Sequence, residues 1–533
     1  MTDPQSRRRL RRPVAGVALG AVLLAGAGAG VAEAAAAPPV LSFVAAAKTV
    51  TAERYADGDE VYLSFDLGLH VIAGRDAFEI RAKRIAYDKP IIAHRMVTKN
   101  GKKTGVTLPA GAIKDFTGLP DFTTIAIKDK GGKVVTTYRT PFCGNSESSG
   151  RTRRDAPATN PYPTRCGGEN PFSLGAVWGV QAGWDATVPD QPVNPAALNK
   201  LKAGKYTAVA TVNPKYVKLF GIPAKQASAS VAVNIVDMKF DKAGVAAARA
   251  ADAERKPAVP EAGGHDLHSA EGDARRQVSS FLPEFRAAAS VPKPVTSLPK
   301  GPRPDLRSLP AWGISLSQGF NEKTGKADGK WYVNFGATVW NAGTSPLVVD
   351  GFRRTGTELM DAYQYYFDAK GKQVGSKKAG TMEWDPRDGH LHWHFTDFAQ
   401  YNLLAADQKL AVRSGKESFC LANTDAVDYT IAGAKWRPAN TDLSTSCGAN
   451  TVVAVREVLD IGNGDTYSQD RPGQSFDITK LPNGTYYIQV LANPDRKLAE
   501  MSTTNNAALR KIVLGGTAKK RTLTVPKVHG IAG

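Results

Sequence analysis

Three of the eight histidines in the chain stand at every second position, in Asp388-Gly389-His390-Leu391-His392-Trp393-His394-Phe395. Side chains two apart on an extended strand share one face, about 6.5–7 Å apart. The spacing therefore predicts a strand with His390, His392 and His394 on one face and Leu391 and Trp393 on the other. A flat strand would hold the outer imidazoles about 13 Å apart, too far for both to reach one ion. A bend is expected, and Gly389 is the residue that would permit it. Three imidazoles without a nearby thiol suit copper or zinc better than magnesium or calcium. The plainer alternative is a solvated histidine face, which would repel itself as the rings protonate.

The N-terminus has the plan of an export signal. Basic residues from Arg7 to Arg12 precede an Ala/Gly/Val/Leu run from Val14 to Val31, and Ala32-Glu33-Ala34 offers a small-x-small cleavage site. Residues 1–34 are assigned to a signal peptide. The paired arginines after Ser6 resemble a twin-arginine signal, and Sec export is the other route. A retained membrane anchor is the alternative, although Ala and Gly make a poor span. The four cysteines fall into two local pairs. In an exported chain this predicts disulfides Cys143–Cys166 and Cys420–Cys447, each worth roughly 3 kcal/mol. No short C-x-x-C spacing points to metal binding by these thiols.

The 533 residues carry a formal net charge of +19. That charge suits an anionic partner such as a wall polymer, or is simply a solvated basic surface. No nucleic-acid-binding motif accompanies it, and no nucleic-acid partner is expected. The predicted fold is all-β: two β-sandwich-like domains joined by a flexible linker. In residues 38–237, short strand patterns such as Glu60–Leu67, Thr123–Ile127 and Lys133–Tyr138 alternate with turns, and Lys130-Gly131-Gly132 signals a hairpin. Gly144 to Gly168 reads as a long loop tied by Cys143–Cys166. This domain has no histidine cluster, and its role is unknown: a binding or a supporting module.

Residues 238–303 are rich in Ala, Arg, Glu and Pro and read as a linker with a short helix at Ala246–Arg255. His265 and His268 lie there and are taken as exposed and inert. Residues 304–514 return to strands, at Trp331–Trp340, Tyr363–Asp368, Thr451–Val455 and Tyr486–Leu491, with Lys370-Gly371-Lys372 as a second hairpin signal. Residues 515–533 read as a tail. The pattern L-x-x-G-x-Y, strand, N-P occurs twice, at Leu201–Pro214 and Leu481–Pro494. Two related sheet domains explain it, and so does convergence on one turn-strand-turn solution.

Further motifs surround the histidines. Trp384 precedes them; Gly415-Lys416-Glu417-Ser418-Phe419-Cys420-Leu421, Gly464-Asp465-Thr466-Tyr467, Pro472 to Thr479 and Thr504-Asn505-Asn506 follow in that order. In these motifs residues 304–514 resemble the lysyl oxidase family, its bacterial secreted members more than the animal ones. The resemblance implies that His390, His392 and His394 bind Cu(2+), and that Lys416 and Tyr467 cross-link into lysine tyrosylquinone. It implies oxidative deamination of primary amines, such as peptidyl lysine, to aldehydes, with O2 as oxidant and hydrogen peroxide and ammonia as products. The catalytic base is not identified; Asp397 is a candidate, with a strand-end role as the alternative. His529 is a further group that could approach the metal. Two departures stand out. Animal members carry more cysteine in this domain, and a basic surface is awkward for cationic amines. Two other functions fit the same residues: a non-catalytic secreted copper-binding or wall-binding protein, and a zinc hydrolase using the three histidines.

Overall fold

The computed structural model describes residues 40–238 apart from 58–59 and 193, and residues 297–533 apart from 322–325, 355–356, 387–390, 397, 415–417, 438–444 and 469–473. The expected signal peptide, the helix at 246–255, His265 and His268 lie outside the described residues. The described chain is almost entirely β, as its alternation predicts. In Gly484–Ala492, Tyr486, Ile488, Val490 and Ala492 turn inward while the residues between them are partly exposed, the period-2 pattern of a half-buried strand.

Both hairpin signals form hairpins, and the same device closes each turn. Asp129 accepts hydrogen bonds from the amides of Gly131 and Lys133, both 2.9 Å. Asp368 accepts from those of Lys370 at 2.8 Å and Lys372 at 2.9 Å. An aspartate at the turn entrance satisfies amides that the ladder cannot reach. Both expected disulfides, Cys143–Cys166 and Cys420–Cys447, are formed, which suits an oxidising compartment. Among the described residues, no helix is long and apolar enough to cross a membrane.

The N-terminal half builds sheets of three, four and six strands around a core that includes Phe78, Phe122 and Trp178. The C-terminal half has three sheets that share a second core. One sheet runs in the order Ser418–Phe419, His392–Thr396, Gln373–Asp385, Leu359–Phe367, Leu347–Arg353, Ala454–Leu459. Another places Asn463–Tyr467 between Lys326–Asn341 and Asp425–Ala426. The third holds Ala399–Leu404, Gly484–Ala492 and Ala507–Thr517 at its centre. Trp393 and Phe395 from the first sheet, Tyr467 from the second and Tyr401 from the third meet in the shared core.

Two connections lie outside the sequence reading. Residue 514 is not the end of the fold, because it lies within the strand Ala507–Thr517, which pairs with Lys520–Thr524. Beyond it, Val528 and Ile531 pack against a cluster of Phe172, Leu309, Trp340 and Val427. The buried Arg510 donates to the carbonyl of Ala532 and stacks over Phe172, 5.6 Å from its centroid. The second is that this cluster draws residues from both halves, so the two cores meet there. The two L-x-x-G-x-Y segments open alike, with Gly204 at φ 152° and Gly484 at φ 154°, a conformation that favours glycine. They then diverge: Asn213 caps the helix Pro214–Phe220, whereas the buried Asn493 brackets Leu498.

Candidate functional site

The histidine strand forms from His392 to Thr396 and pairs antiparallel with the end of Gln373–Asp385. In this register Glu383 faces His394, Trp384 faces Trp393 and Asp385 faces His392. As alternation predicts, His392 and His394 share one face and Trp393 takes the other. Trp393 enters the core edge-on to Trp384, with ring centroids 6.0 Å apart, and its indole donates to the carbonyl of Ala449 at 3.1 Å.

The two imidazoles are buried, His392 at 2% and His394 at 0% exposure. Their rings tilt 70° to one another and bring the two Nε2 atoms to 2.8 Å. As a hydrogen bond this contact needs one ring to donate and the other to accept. It is also the chord between two nitrogens held at a right angle, each about 2.0 Å from one ion. Two imidazole nitrogens at that separation can reach one ion, and imidazole suits copper and zinc alike. Nδ1 of His394 lies 3.3 Å from Oδ2 of Asp385, a carboxylate itself 6% exposed. A carboxylate on Nδ1 orients the ring and leaves Nε2 for a metal.

Gly389, where a bend was expected, lies outside the described residues; Leu391 after it is exposed and has φ 40°. This is the left-handed region, costly for a side chain with a Cβ, and it ends the extended run ahead of His392. His390 lies outside the described residues, as do Lys416 and Asp397. Among the described residues, no three His, Cys, Asp or Glu groups gather as a metal site.

Tyr467 is buried at the end of its strand. Its hydroxyl accepts from the amide of Cys420 at 3.0 Å and reaches the carbonyl of Cys420 at 3.2 Å, where it donates. Its ring stands edge-on to Phe419, centroids 4.8 Å apart. Phe419 in turn pairs with Phe395 of the histidine strand. The disulfide partner Cys447 accepts at its carbonyl from the amide of Trp393, 3.0 Å away. The phenol is thus held by the segment that pairs directly with the histidine strand, and Lys416 precedes that segment by two residues. His529 is exposed in a turn between Val528 and Ile531, on the tail that packs with Phe172 and Trp340.

Two groups were missed from sequence. Asp385, next to the quoted Trp384, carried no signal beyond its proximity to the histidines. Asp465 is 2% exposed and lies two residues before Tyr467, on the same side of the strand. Burial pushes the nearby Tyr401 phenol well above its usual range; the Asp465 charge adds to this and a Gln474 hydrogen bond opposes it.

Fold and site together define the C-terminal half as an all-β domain with a buried imidazole pair on one face of a strand and, packed through Phe419 against the other face, a buried phenol anchored to backbone. Residues 357–522 match the family model described as lysyl oxidase. Lysyl oxidase homolog 3B of Danio rerio is 31% identical over 131 residues, 24% of this chain and 14% of that protein. Lysyl oxidase homolog 3 of Homo sapiens is 30% identical over 131 residues, 24% of this chain and 15% of that protein. Lysyl oxidase homolog 2 of Bos taurus is 32% identical over 153 residues, 28% of this chain and 18% of that protein. The C-terminal half belongs to the lysyl oxidase family. The matched stretch spans less than a fifth of these relatives' length.

Proposed function

We propose that the protein is a secreted, copper-dependent amine oxidase acting on primary amines such as peptidyl lysine. The reaction takes R–CH2–NH3+, O2 and H2O to R–CHO, NH4+ and H2O2. The observation that carries this reading is the 2.8 Å approach of the two buried Nε2 atoms, with the Tyr467 phenol fixed on the neighbouring segment. His390, His392 and His394 would hold Cu(2+), and Lys416 with Tyr467 would furnish lysine tyrosylquinone. Bound copper and the quinone would supply the two-electron oxidation of the amine and the return of those electrons to O2.

The chain's own residues supply placement. Asp385 stands 3.3 Å from Nδ1 of His394, the backbone of Cys420 grips the Tyr467 oxygen, and Phe419 packs edge-on to the phenol. Burial around Tyr467 excludes water and strengthens every polar contact there.

Export would follow the signal-like residues 1–34, and two disulfides support an extracellular destination. One observation favours the non-catalytic reading, a copper- or wall-binding protein. The hairpin of Ile92–Lys99 and Lys102–Thr107 sets Lys99 opposite Lys102 with Arg95 on the same side, and its second strand is exposed throughout, while Lys103 on the other side pairs with Glu79 at 2.6 Å. That face suits an anionic wall polymer.

Peptide mass mapping of the copper-loaded mature protein, paired with amine-dependent peroxide release, separates the readings. The oxidase gives one peptide joining the Lys416 and Tyr467 segments, and peroxide that disappears with Tyr467→Phe and with copper chelation. Copper-loaded protein with separate peptides and no peroxide refutes the oxidase and leaves the binding protein.

A further inference from the structure

We infer that the N-terminal half positions the strand that carries Tyr467, and that it does so through Asn170. The inference rests on the reading above, in which Tyr467 is the cofactor tyrosine.

Asn463–Tyr467 is unequally supported on its two sides. On one side four residues, Gly464 to Tyr467, pair with Trp340 to Ala337. On the other side only Asp425 and Ala426 pair, with Gly464 and Asn463. Thr424 extends this short wall: its hydroxyl accepts from the amide of Thr466 at 2.7 Å and its amide donates to the carbonyl of Gly464 at 2.9 Å. A two-residue ladder is a weak wall unless something backs it.

The N-terminal half provides the backing. The amides of Leu174 and Gly175 donate to the carbonyl of Val427 at 2.7 and 3.1 Å, and the amide of Tyr429 donates to the carbonyl of Gly175 at 3.0 Å. Gly175 permits this approach, because a Cβ there would stand 2.2 Å from Oδ1 of Asp428. Backbone pairing thus runs from the N-terminal sheet through residues 425–429 to the Tyr467 strand.

A side-chain chain runs beside it. Nδ2 of the buried Asn170 donates to the hydroxyl of Thr338 at 2.8 Å. The hydroxyls of Thr338 and Thr466 lie 2.6 Å apart, and that of Thr466 donates to Asp425. Each hydroxyl has a single proton to donate, and that of Thr466 goes to Asp425, so Thr338 donates to Thr466 and the chain runs in one direction, from the Asn170 amide to the Asp425 carboxyl. The Asn170 amide cannot turn away, because its Oδ1 accepts from the amide of Phe172 at 2.9 Å. Thr466 precedes Tyr467 and faces the opposite side of the strand. Asn170 therefore fixes the strand from behind the phenol without touching it, as a positioning residue.

The test uses full-length Asn170→Ala and Thr338→Val, with Thr338→Ser as the variant that keeps the hydroxyl. Two quantities are read: hydrogen exchange of residues 463–467 against 484–492, and the fraction of copper-loaded chains joining the Lys416 and Tyr467 peptides. The expected result is exchange about tenfold faster at 463–467, none at 484–492, and a lower joined fraction, with Thr338→Ser restoring both. Unchanged exchange at 463–467, an equal rise in both stretches, or an unaltered joined fraction overturns the inference. If Asn170→Ala does not fold, Thr338→Val against Thr338→Ser decides by the same readings. A wild-type protein that never joins the two peptides refutes the oxidase, and local exchange then decides the positioning role alone.

Discussion

Replacing Asp460 by asparagine should stabilise the protein at neutral pH and leave it unchanged in acid. Asp460 follows the strand Ala454–Leu459 and is 0% exposed. Its Oδ1 accepts from the amide of Ile461 at 2.8 Å, while Oδ2 has no hydrogen-bond partner among the described residues. Burial pushes its pKa from 3.8 up to about 6, against the Ile461 hydrogen bond and the Lys435 charge, which both lower it. Between pH 4 and 6 the folded state then holds a proton that the unfolded chain has released. The Asp460 contribution is therefore intact in acid and is lost as pH rises through 6. A displacement of about two units corresponds to about 3 kcal/mol. Asp460→Asn keeps the acceptor for Ile461 and removes the charge. Equilibrium urea unfolding at steps from pH 4 to pH 7.5 should give matching stabilities at pH 4. At pH 7.5 the variant should lead by about 3 kcal/mol. Asp425, also raised to about 6, and Asp190 and Glu500, both raised, slope the wild-type curve the same way. The difference between the two proteins isolates Asp460. A pH-independent offset, or a variant weaker at pH 7.5, would refute a neutral Asp460 in the folded protein.

Gly175→Ala should cost about 1–3 kcal/mol, read by urea unfolding, because the added Cβ meets Asp428 and Thr430. Cys420→Ser with Cys447→Ser opens a disulfide of sequence separation 27. It should cost about 3–4 kcal/mol and speed hydrogen exchange at Trp393, whose amide bonds Cys447. Asp385→Asn should weaken copper binding about 10–100-fold, measured by competition with a chelator of known affinity. An unaltered copper affinity would show that Asp385 does not orient His394.

What was legible in the sequence was local. Asp129 and Asp368 sit at the mouths of Gly-containing turns, and each hairpin closes as that chemistry requires. The two cysteine pairs close short loops, so proximity along the chain was enough to match them. The contact between the halves was not legible, for the converse reason. Asn170 bonds Thr338 across a sequence separation of 168, and Ser173 bonds Ala426 across 253. Periodicity reports which face of an element is buried but not what buries it. A proline-rich stretch between the halves therefore read as a tether between separate domains. The contacts that hold the tail were not legible on the same ground. Arg510 is charged and looks like a surface residue, yet it is buried against Phe172 and the Ala532 carbonyl.

At the site, strand alternation gave the shared face of His392 and His394 but could not give their convergence. Neighbours on one strand face are spaced about 6.5–7 Å, whereas the two Nε2 atoms are 2.8 Å apart. The difference is taken up by side-chain torsions, which tilt the rings 70° toward one another. Alternation also carried no information about Asp385. That residue stands opposite His392 in register but approaches His394, the diagonal neighbour two positions on. Diagonal reach across an antiparallel pair is open to long side chains, and which diagonal is used depends on register and twist, both set by the pairing of two strands. A histidine row in a sequence therefore identifies donors. The carboxylate that aims one of them belongs to the neighbouring strand and becomes readable only once the pairing is known.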